Sequence, residues 1–211
     1  MIGLIPSVNN FQAIYRRSVA YLCNSPFAAE VISSLDESPL HLGILITEQG
    51  GCEYVPPYDR RCPRYLDGGI IYWNINKTVE TMDFAYNDPR LGLNEARREN
   101  VPWNREISFP GRVMEVFFGP RTRLGLLTPS MCLMHEMGHA LQYFSDSNAF
   151  LQLHNNNYME LENINVRAIE ATVVQELRNL GYGETARWDY AHINHYPGGR
   201  AWPNWLRWFY G

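Results

Sequence analysis

Several features that would identify a class of protein are missing from this sequence of 211 residues. No stretch approaches the roughly 18 consecutive apolar residues that indicate a membrane-spanning helix. The first six residues lack the basic and long apolar regions of a secretion signal, so we expect neither a signal peptide nor a membrane span. The net charge is −4 and no block of consecutive basic residues occurs, which argues against nucleic acid as a partner.

The sequence also has no Cys-x-x-Cys motif among its four cysteines. This argues against a separate structural zinc knuckle. Cys52 and Cys62 could close a short disulfide loop or remain free thiols, since the cellular compartment decides between the two states. Cys132 precedes a histidine pair by one helical turn and could approach a metal there, although a small buried apolar residue is the simpler interpretation.

The composition is that of an ordinary globular chain, with 45% apolar and 13% aromatic residues. A chain of this length builds one sizeable core, so we predict a single α+β domain over residues 1–211. Capping and breaking residues predict helices over 8–22, 26–36, 128–144 and about 158–180, the last ended by Gly181. Residues rich in β-branched and aromatic types predict extended segments over 41–47, 69–76 and 112–118, and Asn155 to Asn157 predict a loop.

The motif His135-Glu136-Met137-Gly138-His139 carries the chemical information in the sequence. Histidines four residues apart lie on one face of a helix, where both imidazoles can bind one metal ion. Glu136 is the expected general base, since it lies off the line of the histidines and can take a proton from a water on the metal. Thr128-Pro129 supplies an N-cap and a proline at the first helical position. A glycine in the middle of a helix, such as Gly138, costs about 1 kcal/mol in stability relative to alanine. Its presence therefore indicates that another backbone or a ligand approaches the helix closely at this point.

A catalytic zinc ion needs a third protein ligand, and the sequence leaves its identity open. Gln142 and Ser145 stand where a metzincin has glycine and histidine. We find no Gly-Thr-x-Asp segment downstream, and Asp189 is only a distant alternative. A glutamate on the following helix is the remaining common solution, and the candidates are Glu160, Glu162, Glu170 and Glu176.

Helical spacing favours Glu170 among these four. Its carboxylate would emerge within an apolar stripe, where burial is costly unless a metal or another partner compensates for it. Glu162 is the second choice, and the more polar surroundings of Glu160 and Glu176 are typical of a solvated helix face. The apolar neighbours of Glu170 at helical spacing are Val166, Val173, Val174 and Leu177.

An electrophile that stabilises the negative charge of the transition state is expected near the metal. Tyr190, His192 and His195 cluster after the second helix, and Tyr190 is the best candidate, although packing is the commoner role for each residue type. We expect the substrate to lie as an extended strand along an exposed sheet edge, because backbone pairing requires no particular sequence.

Three parts of the sequence together resemble the effector metallopeptidases of bacterial type III and type VI secretion systems. These parts are Val113 to Pro120, the helix from His135 to Leu141, and Glu170 to Leu177 with the later Arg187-x-x-Tyr190. The family has a His-Glu-x-x-His-Ala helix and a later Glu-Asn-x-x-Arg-x-Glu-x-Gly segment ending in Arg-x-x-Tyr. This chain departs from that pattern at Ala171 and Val174 and in the spacing before Gly181.

The resemblance covers the C-terminal half and implies a zincin-like fold: a small mixed sheet, an active-site helix and a second helix carrying the third ligand. It implies one zinc ion per chain, held by His135, His139 and Glu170, and hydrolysis of a protein or peptide substrate. A secretion-system carrier or an immunity protein is the further partner it implies. The chain would then be a secreted or translocated effector or toxin that acts in a target cell.

Two other functions stay open on the sequence. In a zinc-stabilised binding module the motif would be structural, and a fourth ligand would come from His154, His192, His195 or Cys132. Glu136 argues against this, because a structural site has no use for a base. A zinc hydrolase that cleaves a non-peptide bond is the other alternative, since activated water does not determine its target.

The aromatic run over residues 202–210 has two interpretations. It can be a tail packed across the core or a contact patch for a carrier or target, since Trp and Tyr serve both purposes. We favour packing.

Overall fold

A computed structural model describes residues 1–76, 78–83, 123–182, 184 and 193–196, with side chains for 1–76, 127–182 and 184. These residues form a mixed α+β architecture, as predicted, with a small mixed sheet, a second small sheet and a set of helices. The segment 112–118, Tyr190 and the aromatic run 202–210 lie outside the described residues. No helix among the described residues has the length and apolar character needed to span a membrane.

The larger sheet has four strands in the order β1-β2-β4-β3. Strands β1 (Ile2–Ile5), β2 (Leu42–Thr47) and β4 (Ile70–Asn74) are parallel, and β3 (Glu53–Val55) runs antiparallel to β4 at the edge. The predictions over 41–47 and 69–76 are confirmed by β2 and β4. Pro56-Pro57 ends β3 after three residues, because proline has no N–H to donate to a ladder.

Two helices, α1 (Phe11–Leu22) and α2 (Pro26–Glu37), connect β1 to β2 and confirm the first two predicted helices to within a few residues. Ser25 caps α2 by accepting a hydrogen bond from the Ala28 amide at 3.0 Å. Glu176 accepts hydrogen bonds from the Ser25 hydroxyl at 2.5 Å and from the Phe27 amide at 3.0 Å. Glu176 therefore caps α2, where the sequence suggested a solvated helix face.

A second sheet is antiparallel and has the order β6-β5-β7. Its strands are β5 (Thr78–Asp83), β6 (Arg123–Leu127) and β7 (Ile193–Tyr196). Strand β6 ends one residue before the motif helix begins, so it delivers the chain directly to the site.

The motif helix, α3 (Pro129–Ser145), begins as predicted. Thr128 accepts a hydrogen bond from the Met131 amide at 3.3 Å, and Pro129 occupies the first turn. Trp73 of β4 donates its indole N–H to the Pro129 carbonyl at 2.7 Å, which ties the start of the helix to the sheet. All ten residues from 131 to 140 are buried, so α3 forms part of the core.

The segment after α3 differs from the prediction, because α4 (Ser147–Asn156) replaces most of the predicted loop. Asp146 caps α4 by accepting from the Ala149 amide at 2.9 Å, a signal that the sequence contained. The last predicted helix is present but interrupted. It consists of α5 (Tyr158–Asn165), a π segment (Val166–Glu170) and α6 (Ala171–Asn179), followed by Gly181 at a φ of 88°.

The hydrophobic core lies between the four-stranded sheet and the helices packed on it. Strands β2 and β4 contribute from one side and α2, α3 and α6 from the other. None of the four cysteines forms a disulfide bond, so Cys52 and Cys62 are not bonded to each other. The largest fully buried side chains include Trp73, Leu35, Ile44, Ile71, Met131, Leu133, Met134 and Met137.

Gly138 is the point of closest approach between α3 and the helix after it. A Cβ atom at this position would lie 2.0 Å from Oδ1 of Asn165. Asn165 also donates from Nδ2 to the His135 carbonyl at 2.7 Å. The close approach indicated by this mid-helix glycine is therefore present, but its partner is a buried side chain and not the backbone or ligand that was predicted.

We expect Gly138→Ala to destabilise the fold, measured by urea unfolding with chelator present so that bound metal does not contribute. Overpacking costs about 1–3 kcal/mol, and a Cβ only 2.0 Å from Oδ1 places this site toward the upper end, above the roughly 1 kcal/mol that alanine gains in a helix. Gly3→Ala is the control, because a Cβ there meets only the Leu42 carbonyl oxygen at 3.9 Å. In an Asn165→Ala background the cost of Gly138→Ala should shrink, and an equal cost in both backgrounds contradicts this packing.

Candidate metal centre

Three buried side chains converge on one point between α3 and α5. They are His135, His139 and Glu162, and their ligand atoms all lie within 4.8 Å of one another. Oε2 of Glu162 lies 2.9 Å from Nε2 of His135 and 3.2 Å from Nε2 of His139. This group could hold a metal ion.

Two of the three distances between the ligand atoms are close to those around a tetrahedral ion. Two ligands at about 2.0–2.1 Å from a tetrahedral Zn²⁺ lie about 3.3 Å apart, close to both observed distances. Nε2 of His139 is buried and makes no hydrogen bond, even though Glu162 is near. A buried nitrogen without a hydrogen bond is costly, and a cation at the centre of the group would satisfy it.

Each histidine also makes a polar contact through Nδ1, the ring nitrogen that faces away from Glu162. Nδ1 of His135 lies 3.1 Å from Oε2 of Glu170, and Nδ1 of His139 lies 2.9 Å from Oε1 of Gln142. When each Nδ1–H donates to its oxygen, the lone pair of each Nε2 faces Glu162. This is the arrangement that metal-binding histidines adopt. The spacing of Gln142, three residues after His139 on one helix, is the signal in the sequence for this contact.

The third member of the group differs from the sequence prediction. Glu162, the second candidate, joins the two histidines, while Glu170 contacts the far side of the His135 ring. The degree of burial could not have shown which glutamate joins the histidines, because Glu162 and Glu170 are both only 1% exposed. Glu160 is exposed, and Glu176 is engaged at the start of α2.

Glu136 lies beside the group without belonging to it. Its Oε2 accepts a hydrogen bond from the backbone N–H of Tyr54, on strand β3, at 2.8 Å. Glu136, His139 and Glu162 line a common cavity of about 140 Å³, whose walls also include Tyr54. The general base predicted from the motif is therefore held between the candidate ligands and the edge of the sheet.

One wall of this cavity is aromatic and was not predicted from the sequence. Phe150, His154 and Tyr158 come from α4 and the start of α5. The rings of Phe150 and His154 stack with centroids 5.7 Å apart, and Tyr158 meets His154 edge-on at the same centroid distance. The helix α4, read as a loop in the sequence, therefore supplies a wall of the site.

Burial and the neighbouring imidazoles together shift the pKa values of the two carboxyl groups of the cavity in opposite directions. Burial raises the pKa of Glu136 above its usual value, and the nearby histidines only partly offset this. Burial would also raise the pKa of Glu162, but in the metal-free chain, when ring N–H groups of His135 and His139 face it, these contacts outweigh burial and hold the pKa well below the usual range. Glu162 is therefore held ionised beside the two imidazoles.

Among the described side chains, the other candidates from the sequence do not join the group of three. Cys132 is buried on α3 and His154 lines the cavity, but neither is a member. His195 lies on β7, where its backbone is in register with Val79 of β5. Tyr190, His192 and Asp189 lie outside the described residues, so their predicted roles stay predictions.

Comparison of the chain with protein-family models, curated proteins and solved structures gives no match. Function is therefore inferred from the residues of the site and their geometry.

We expect Glu162→Ala to weaken metal binding strongly, because it removes one of three converging ligands. Titration with Zn²⁺ in competition with a chelator measures the effect, and the loss should exceed the 10–100-fold typical of removing a contact behind a ligand. Glu160→Ala is the matched control, since Glu160 is exposed on the same helix. Unchanged affinity in Glu162→Ala, with complete loss in Glu170→Ala, would make Glu170 the third ligand.

Proposed function

We propose that this chain is a zinc-dependent metallopeptidase in which His135, His139 and Glu162 hold the ion and Glu136 is the general base. The observation that carries the proposal is the position of Glu136. Its carboxylate lines the same cavity as His139 and Glu162 but is held by the Tyr54 amide, outside the group. A site that only stabilised the fold would have no use for a buried base there.

The number of ligands supports an open, catalytic site. Catalytic zinc sites have three protein ligands and an open position, whereas structural sites have four protein ligands. Among the described side chains the group has three members, and neither Cys132 nor His154 adds a fourth. The cavity beside the group leaves space for a reacting molecule. These observations favour an enzyme over the binding module.

A zinc ion bound here would lower the pKa of water and polarise the scissile carbonyl. Glu136 takes the proton from the attacking water and delivers it to the leaving amine. Because Tyr54 occupies Oε2, the proton is carried on Oε1. The same hydrogen bond fixes the rotamer of Glu136, so the base is oriented before substrate arrives.

The edge of the sheet supports a peptide as the substrate. Among the described strands, β3 pairs only with β4, and its Tyr54 amide points toward the site. An extended peptide lying beside this edge would bring its backbone to Glu136, while the Tyr54 amide stays bonded to Glu136 and does not pair with the peptide. The aromatic wall of Phe150, His154 and Tyr158 would then receive a substrate side chain.

A donor to the developing oxyanion completes the proposed mechanism. Tyr190 is the donor proposed from the sequence, and Tyr158 and His154 line the cavity and carry suitable N–H or O–H groups. Tyr190→Phe and Tyr158→Phe remove only the hydroxyl, so the one that lowers kcat with little change in KM identifies the donor.

We expect purified protein to contain about one zinc ion per chain, and Glu136→Gln to keep the metal and the fold while losing activity. Removal of a general base costs about 10²–10⁴-fold in rate. Glutamine is chosen because its amide oxygen can still accept from Tyr54. Elemental analysis for zinc and iron measures the metal, and mass spectrometry of a peptide library from a cell lysate measures cleavage. Glu160→Gln should behave as wild type, and equal cleavage by Glu136→Gln and wild type contradicts the role of Glu136.

The effector role rests on the family resemblance of the motifs and is tested in cells. We expect wild-type chain to be toxic, or to cleave a protein, in the compartment that contains its target, while Glu136→Gln is inert there. Expression with and without an export signal separates a periplasmic target from a cytosolic one. Equal effects of wild type and Glu136→Gln in both compartments would contradict an enzymatic effector.

A further inference from the structure

We propose that Glu170 is a positioning residue that acts through Nδ1 of His135, holding Nε2 of that ring toward the metal and strengthening it as a ligand. This rests on the proposed zinc site. The two atoms of the contact, Nδ1 of His135 and Oε2 of Glu170, lie 3.1 Å apart and are buried. Glu162 lies on the opposite nitrogen of the same ring at 2.9 Å. His135 is therefore held between two carboxylates on its two nitrogens.

The π segment makes this double contact possible. In a regular α-helix each residue turns about 100°, so residues eight apart, such as Glu162 and Glu170, would point about 80° apart. A π turn takes up about one extra residue, so eight residues rotate roughly as seven do and the two side chains differ by only about 20°. The segment Val166–Glu170 therefore turns Glu170 back to the side of the helix that faces His135.

Both ends of the π segment engage the same histidine. Asn165, which directly precedes the segment, donates to the backbone carbonyl of His135 at 2.7 Å. Glu170, its last residue, accepts from the imidazole ring. One contact fixes the backbone of His135 and the other fixes its ring, so the departure from regular helix serves this residue directly.

The second histidine supplies a comparison within the molecule. Nδ1 of His139 faces the neutral amide of Gln142, whereas Nδ1 of His135 faces a carboxylate. A neutral acceptor fixes the tautomer and the orientation of the ring. A carboxylate also raises the basicity of the imidazole as a ligand. The contact of Glu170 thus has a consequence for metal affinity that packing alone would not have.

The test compares three variants in Zn²⁺ titrations against a competing chelator. Glu170→Met keeps most of the side-chain volume but removes the acceptor, and we expect the Zn²⁺ affinity to fall about 10–100-fold with one ion still bound per chain. Glu170→Gln keeps an acceptor without the charge, so its loss should be smaller than that of Glu170→Met. Glu160→Gln, on the exposed side of α5, should leave the affinity unchanged. Thermal unfolding of the metal-free chains, measured in parallel, separates loss of packing from loss of affinity.

Nuclear magnetic resonance of zinc-loaded wild type with ¹⁵N-labelled histidine tests the same contact without a substitution. We expect His135 to bind zinc through Nε2 and to keep a slowly exchanging proton on Nδ1. Binding of zinc through Nδ1, or wild-type affinity in Glu170→Met, would overturn the proposal. Total loss of zinc in Glu170→Met with retention in Glu162→Ala would overturn it too, because Glu170 would then be a ligand. Failure of wild type to bind zinc would instead contradict the proposed function itself.

Discussion

The contact of His135 with two glutamates is the interaction on which the rest of the site depends. Glu162 and Glu170 are both buried, and each approaches a different nitrogen of the same imidazole. Together with Glu136, three carboxylates are then buried near two histidines. Buried charges are stable only where partners compensate for their loss of water. A divalent cation coordinated by the group would supply such a partner.

The apolar core holds this charged centre in place. Helix α3 is buried along ten consecutive residues, so its two histidines cannot move without disturbing the packing of the sheet and of α2. The Trp73 contact sets the position of its first turn, and the Gly138–Asn165 contact sets its distance from the next helix. A site built on packed helices keeps its geometry better than one built on loops. Glu136 is held in a different way, by a hydrogen bond from the edge strand β3.

The difference between the glutamate predicted as third ligand and the glutamate that joins the two histidines has a physical origin that spacing rules cannot detect. Helical periodicity correctly indicated that Glu170 is buried among apolar residues. It assumed, however, a regular helix from 158 to 180, in which Glu162 and Glu170 point in different directions. The π segment rotates the second half of that helix, so both side chains reach the same histidine. The residues at the two ends of the segment, Asn165 and Glu170, contact His135 of α3, and the spacing of residues along one helix does not reveal such contacts.

Local patterns in the sequence were sufficient for the features that depend on neighbouring residues. They predicted α1, α2 and α3 to within a few residues, the cap at Thr128, the strands β2 and β4, and the histidine pair with its intervening glutamate. Tertiary structure alone decided which glutamate faces both histidines, which backbone amide holds Glu136, and which side chains line the cavity. The reason is that these contacts join residues that are distant in the chain: Tyr54 and Glu136 are 82 positions apart, and His135 and Glu170 are 35 positions apart. Periodicity specifies the face of a helix on which a residue lies, but only the packing of whole elements brings two such faces together.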